Sequence, residues 1–166
     1  MKIDHNRTRT IAQGLVIIVA GALSLAAPMA YAGECPADKV VADGSGQTPS
    51  GQTAKDVMDS VLASIDLAQE PAVGIKDRKF RLRRLVIKSG GVVPWHSHAD
   101  RPALIYIVSG EVTEYASTCA VPILHKAGEV AAETHTTAHW WKNTGKNTVV
   151  LVSADLLKPT DDQHMM

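Results

Sequence analysis

The sequence predicts an all-β domain, a sandwich or barrel built from many short strands, and three observations point to it. Apolar and charged residues alternate through Phe80-Arg81-Leu82-Arg83 and run on into Leu85-Val86-Ile87, the two-residue period of a strand. Further short apolar runs stand at 103–108, 121–124 and 148–152. Between them lie Ser109-Gly110, Ala127-Gly128 and Thr144-Gly145-Lys146, and turns at such spacing mark an all-β unit.

In chain order, the first element is an address. Lys2, Arg7 and Arg9 precede an uncharged stretch over residues 10–33, broken by Pro28 and followed by Ala30-Tyr31-Ala32. Small residues at those two positions are what a signal peptidase reads, so residues 1–32 are expected to be a signal peptide cleaved before Gly33. An uncleaved anchor is the alternative, since the run is long enough to cross a bilayer core of about 30 Å. The expected location is periplasmic, with no membrane association once the leader is gone. The remaining 134 residues carry 14 Lys and Arg against 16 Asp and Glu, a net charge of −2, which excludes a basic nucleic-acid binder. Hydrophobic residues make up 45 % of the chain, enough for one core, but aromatics only 4 %, so that core must be aliphatic. In an oxidising compartment Cys35 and Cys119 are candidates for a disulfide, with two free thiols as the alternative.

Residues 33–55 read as a short flexible linker, because 43–54 (DGSGQTPSGQTA) holds no large apolar side chain. The domain is expected over 56–166. Its first segment is ambiguous. Val57, Met58, Val61, Leu62 and Ile65 fit a helix, while Val61, Ala63, Ile65 and Leu67 alternate as in a strand. Pro71 and Gly74 end it in either case. The basic cluster Lys76, Arg78, Lys79, Arg81, Arg83 and Arg84 is expected to form one solvated strand face. Ser89-Gly90-Gly91 is read as a turn.

His96 and His98, one residue apart, point to the same face of an extended strand. His139 opens another β-like segment, His-Trp-Trp-Lys-Asn. Three imidazoles on one interior face would suit a borderline divalent ion. On such a strand Trp141 and Asn143 share the face of His139, where Trp141 would wall a cavity or belong to the core, and Trp140 points away; Trp95 and Ser97 point away from the metal.

The wider pattern resembles the two motifs of the cupin superfamily. Gly90, His96, His98 and Gly110 match the first motif within GGVVPWHSHADRPALIYIVSGE, and Gly128, His139 and Asn143 match the second within AGEVAAETHTTAHWWKNTG. The resemblance spans roughly residues 60–156. It implies a jelly-roll barrel (double-stranded β-helix) with a metal inside one mouth. The sequence departs from the pattern at Ala103, where the family has a metal-binding Glu, and at Thr134 and Thr136, which replace a Pro and a Gly. The implied shell is therefore His96, His98 and His139 around Fe, Mn, Zn or Ni. Asp100 is a substitute ligand at the wrong offset, and an empty structural barrel is the alternative.

Three neutral imidazoles leave a divalent ion its full charge of +2, which favours a small anionic ligand. Cupin-like dioxygenases with three-histidine iron are similar in metal shell. Hence the expected function is a metal-dependent, dioxygenase-like oxidoreductase, with a non-catalytic metallo-cupin that binds a small ligand as the alternative. Arg101 is a candidate to meet a substrate carboxylate, or to pair with a nearby acid. His135 is a candidate acid-base group. The resemblance also suggests a homodimer. No nucleophile-base pair is visible, which argues against Ser or Cys hydrolysis.

Overall fold

The computed structural model describes residues 33–159, so the leader read over 1–32 lies outside the described residues. Eight strands form one sheet that curls into a barrel: β1 (Lys55–Asp66), β2 (Lys79–Ser97), β3 (Ala103–Ser109), β4 (Glu111–Ala116), β5 (Ile123–Lys126), β6 (Val130–Glu133), β7 (Ala138–Lys142) and β8 (Val149–Leu157). Two single 3-10 turns, Ala37–Lys39 and Leu67–Gln69, complete the list, with no α-helix among the described residues. The ambiguous segment 57–65 is strand. It pairs antiparallel with β2 along most of its length, and the Asp66 carboxylate then caps the Leu67–Gln69 turn by accepting from the Ala68 N–H at 3.0 Å.

The strand order is β5-β4-β7-β2-β8-β3-β6, with β1 also on β2. The first half of β2 lies between β1 and β8, whereas its second half pairs with β7. One strand thus passes from one sheet to the other, which closes two antiparallel layers around a shared interior. Ser89-Gly90-Gly91 is consequently not a turn but a bend inside β2. Gly90 has φ 76°. A Cβ on Gly91 would stand 2.8 Å from the Lys88 carbonyl and 2.9 Å from that of Asp56, so only glycine lets β1 and β2 approach here.

Cross-strand register sorts the interior into layers. Leu85 faces Leu151, which faces Ile107; Arg83 faces Ser153, which faces Ile105; Arg81 faces Asp155, which faces Ala103. Ala103 in turn faces Glu133. The first layer joins Ile87, Val112, Val149 and Trp141 in the apolar core. The next two become progressively charged toward one end of the barrel.

These layers correct the reading of the basic cluster. Arg81 and Arg83 are buried, while Phe80 and Leu82 on the same strand face outward with 45 % and 37 % exposure. Period-two alternation defines two faces without saying which is inside. Here partners decide: Arg81 donates from Nε and Nη2 to both oxygens of Asp155 at 3.0 and 2.7 Å, and Arg83 pairs with Asp59 from β1. A forked guanidinium-carboxylate contact of this kind lets a charge enter a core.

The segment before β1 is anchored over its first part. Cys35 and Cys119 are joined in a disulfide, with Cα atoms 5.8 Å apart. Val40 bridges to Cys119, and the Gly46 and Gln47 N–H groups donate to the Ser117 and Ala116 carbonyls at 2.8 and 2.9 Å. A Cβ on Gly46 would meet the Cys119 backbone at 2.5 Å, so this glycine permits the close approach. The Trp140 indole, stacked on Tyr115 at 3.9 Å, donates to the Thr48 carbonyl.

Candidate metal centre

β2 delivers His96 and His98 to one face, and its register with β7 sets His96 opposite His139. The three rings meet at the cavity. His139 Nε2 lies 3.1 Å from His98 Nε2 and 3.1 Å from His96 Nε2. Two nitrogens each about 2.0–2.1 Å from one ion, at close to a right angle, have this separation.

The other ring nitrogens determine what those three Nε2 atoms are. His96 Nδ1 lies 2.9 Å from the Pro94 carbonyl and His98 Nδ1 lies 2.7 Å from the Arg101 carbonyl. A carbonyl accepts, so both Nδ1 atoms carry the proton. His139 Nδ1 donates to Glu114 Oε1 at 2.6 Å. In the neutral rings every Nε2 then presents a lone pair toward the other two. Lone pairs facing one another repel, and a shared cation satisfies all three.

Glu114 is the residue that sequence reading missed. Its second oxygen accepts from His125 Nε2 at 2.7 Å, and His125 stacks on Trp141 at 4.6 Å. The Trp141 N–H lies 3.1 and 3.3 Å from the two nitrogens of His139, with the rings at 82°, and so faces the imidazole itself. Glu133 approaches His139 Nδ1 at 3.5 Å. Glu114, Glu133 and His139 thus form a second set of close donor atoms beside the three-histidine group. With its Nδ1 committed to Glu114, His139 turns its Nε2 to the other set, and the two carboxylates act as supports behind the ring.

Burial, and then the charge of His139, push His96 well below its ordinary value and His98 down to about 3. Burial alone would lower His139 as well, but the charge of Glu133 and the hydrogen bond to Glu114 overcome it and raise it. Burial would raise Glu114; hydrogen bonds from His125 and His139 overcome that and hold it at about 2. Glu133, buried without a direct partner for Oε1, is pushed up to about 8, chiefly by desolvation.

These shifts predict the acid behaviour of the metal-free protein. The Glu133 contribution is complete below its unfolded value of 4.5 and is lost as pH rises through about 8. Those of His98 and Glu114 are complete above 6.5 and 4.5 and are lost as pH falls toward about 3 and about 2. His96 is lowered in the same direction and adds to the loss below 6.5, so stability should peak near pH 6.5 and fall most steeply below 4.5, read as the urea midpoint at each pH. A midpoint that stays level from pH 6 to pH 3 would show that the cluster does not titrate this way.

The cavity is lined by His96, His98 and Trp141, by Arg83, Arg101 and Ser153, and by the aliphatic Leu85, Val93, Ile105 and Leu151. It is narrow, with room for a water or two. Arg101 is buried, and its Nη1 lies 3.7 Å from Asp155. Burial, and then the charge of Arg83, lower its pKa, yet a guanidinium stays charged. The structure therefore brings together His96, His98, His139 and Arg101. It does not bring in His135, which is exposed on the turn before β7, nor Asp100, which is exposed after β2. Trp141 lines the cavity, buried Asn143 donates to the Ile87 and Asn147 carbonyls, and Trp140 points away, as alternation implied.

A β-barrel that crosses one strand between sheets and gathers imidazoles from two neighbouring strands is a double-stranded β-helix with a site fit for a divalent ion. The family model described as Cupin domain matches residues 83–155. The chain thus carries a cupin domain over those residues. Among solved structures, it is similar to an uncharacterized conserved protein with a double-stranded β-helix domain from Klebsiella pneumoniae, at 16 % identity over 69 % of this chain and 85 % of that one, TM-score 0.50. It is also similar to a predicted oxalate decarboxylase from Thermotoga maritima, at 20 % identity over 70 % and 98 %, TM-score 0.49, and to the Cnp3 cupin domain of Schizosaccharomyces pombe, at 15 % identity over 69 % and 70 %, TM-score 0.49. These likenesses concern the fold. No curated protein gave a match.

Proposed function

We propose that this protein is a periplasmic metallo-cupin in which His96, His98 and His139 hold a divalent ion (Fe, Mn, Zn or Ni) and that it acts as a dioxygenase-like oxidoreductase on a small anionic substrate. The observation that carries the reading is the set of three Nε2 lone pairs aimed at one point, with every Nδ1 already donating. Three protein ligands leave coordination positions for substrate. When bound, the ion supplies Lewis-acid polarisation and, for iron or manganese, electron exchange.

The chain's own residues have distinct tasks in this proposal. Glu114 fixes the tautomer and orientation of His139, a supporting contact worth typically 10–100-fold in metal affinity. Arg83 and Arg101 line the cavity and make it favourable to an anion. Trp141, Val93 and Leu85 exclude water and so strengthen the charge interactions inside. The periplasmic location is supported by the leader sequence and by the Cys35–Cys119 disulfide.

Elemental analysis of the protein exported with its own leader, beside His96→Ala, tests this. The expected result is about one metal per chain in the parent, loss of it in the variant, and an intact mass corresponding to residues 33–166 with an oxidised cysteine pair. Oxygen uptake with small carboxylates, thiols and diketones then separates an enzyme from a binder. A metal-loaded protein inert toward all of them supports the non-catalytic metallo-cupin, and a parent that takes up none of the four metals removes both readings.

A further inference from the structure

The outward side of the strands that bury the arginine layer is apolar. Cross-strand partners point the same way, so Leu82 of β2, Ala154 of β8, Leu104 of β3 and Ala132 of β6 form one outward row. Val152, Tyr106 and Val130 belong to the next row, which begins at Arg84 on the border with β1. On the other side of the first row lie Phe80 and Leu156, with Ile65 of β1 beside them. Phe80, Ile65, Leu104, Tyr106 and Val130 are each about half exposed, and a groove lined by Phe80, Leu104, Ala132 and Leu156 is cut into the face. From Phe80 to Val86 and across β1, β2, β8, β3 and β6, at about 3.3 Å per residue and about 4.8 Å per strand, the face covers on the order of 500 Å² in projection. Upright side chains expose more than their projection, so the face approaches the size that each partner of a specific interface contributes, about 800 Å². An apolar patch of that extent marks a contact surface.

Among the described residues nothing covers this face. The stretch before β1 bonds elsewhere, to the chain at 116–120 and to Trp140, and residues 43–54 hold no large apolar side chain. Beyond Pro159 the sequence reads Thr-Asp-Asp-Gln-His-Met-Met, too polar a segment to bury a surface of five strands. We propose that the same face of a second copy covers it, giving a twofold dimer of stacked sheets. Rows of Leu, Ala, Val and Tyr without an acid are self-complementary, and a twofold contact closes without leaving an apolar surface behind. Arg84, the charge within these rows, stands at the border, where its aliphatic stem can lie along the contact while the guanidinium stays in water. The imidazole site takes no part in this inference, which stands apart from the function proposed above.

Sedimentation equilibrium of the full mature chain from about 1 to about 100 µM, metal-free and Zn(II)-loaded, tests the contact. The expected result is a dimer in both forms. Leu104→Arg should weaken it about a hundredfold, because the twofold places two new charges in the contact, and the milder Tyr106→Ser about tenfold. Leu124→Arg is the control. Leu124 is exposed to a like degree but lies on β5, at the far end of the strand order, and its variant should dimerise as the parent does. Far-UV circular dichroism and an oxidised Cys35–Cys119 pair check that each variant keeps the fold, and Tyr106→Ser decides if Leu104→Arg does not. The proposal is overturned by a parent that is monomeric at the highest concentration, or by face variants that dimerise like the parent, which would put the contact on another surface. A monomer that co-sediments with phosphatidylglycerol vesicles would also overturn it and assign the face to lipid.

Discussion

Asp155→Asn should destabilise the protein by about 3–5 kcal/mol, the usual cost of removing one member of a buried ion pair. Asp155 is 1 % exposed and is the carboxylate common to Arg81, Arg83 and Arg101. An amide of the same shape keeps the volume but removes the negative charge that these three guanidinium groups share. Since a domain of this kind is stable by only about 5–15 kcal/mol, the shift in urea midpoint should be large. Asp77→Asn is the control, because Asp77 pairs with Arg78 while 69 % exposed, and surface pairs are worth at most about 1 kcal/mol. Equal, small effects at both positions would mean that the arginine layer is hydrated and that its charges do not depend on Asp155.

Replacing Cys35 and Cys119 by serine is expected to cost about 4–5 kcal/mol in the chain-entropy account of a long closed loop, the separation here being 84 residues. The consequence reaches the site's support. The segment held by the disulfide runs past Glu114 and Glu133, since Gly33, Glu34 and Cys35 line a second cavity with those two carboxylates. Thermal unfolding of the oxidised, reduced and Cys35→Ser/Cys119→Ser forms, with limited proteolysis of residues 33–50, measures both effects. The reduced and substituted forms should melt alike, well below the oxidised form, and be cut first in that segment. A substituted chain as stable as the oxidised parent would show that backbone pairing around Val40 and Gly46 holds the segment without the covalent link.

The supports of the site explain why part of it was hidden in the sequence. His96, His98 and His139 announce themselves, because histidines at strand spacing within a matching motif are rare and their geometry follows from the pleat. Glu114 and His125 carry no such mark. Each sits in a short alternating run, EVTEYA and ILHK, where polar residues on a strand ordinarily mean a solvent face. They turn inward because β4 lies between β5 and β7, placing Val112 opposite His125 and Ala116 opposite His139. Those strands are distant in sequence, and no local period records that they are neighbours.

The arginines show the same principle from the other side. Fold class, the family and the histidine face were legible in the order of residues, since period-two alternation, glycine punctuation and motif spacing are local properties of the chain. Which face of β2 is buried, the carboxylates that make Arg81 and Arg83 admissible there, and the unpartnered hydroxyl of Ser153 on the cavity wall were set by strand register alone. A strand presents two faces with equal right, and only the partners brought up by folding, Asp155 from β8 and Asp59 from β1, make one of them the inside.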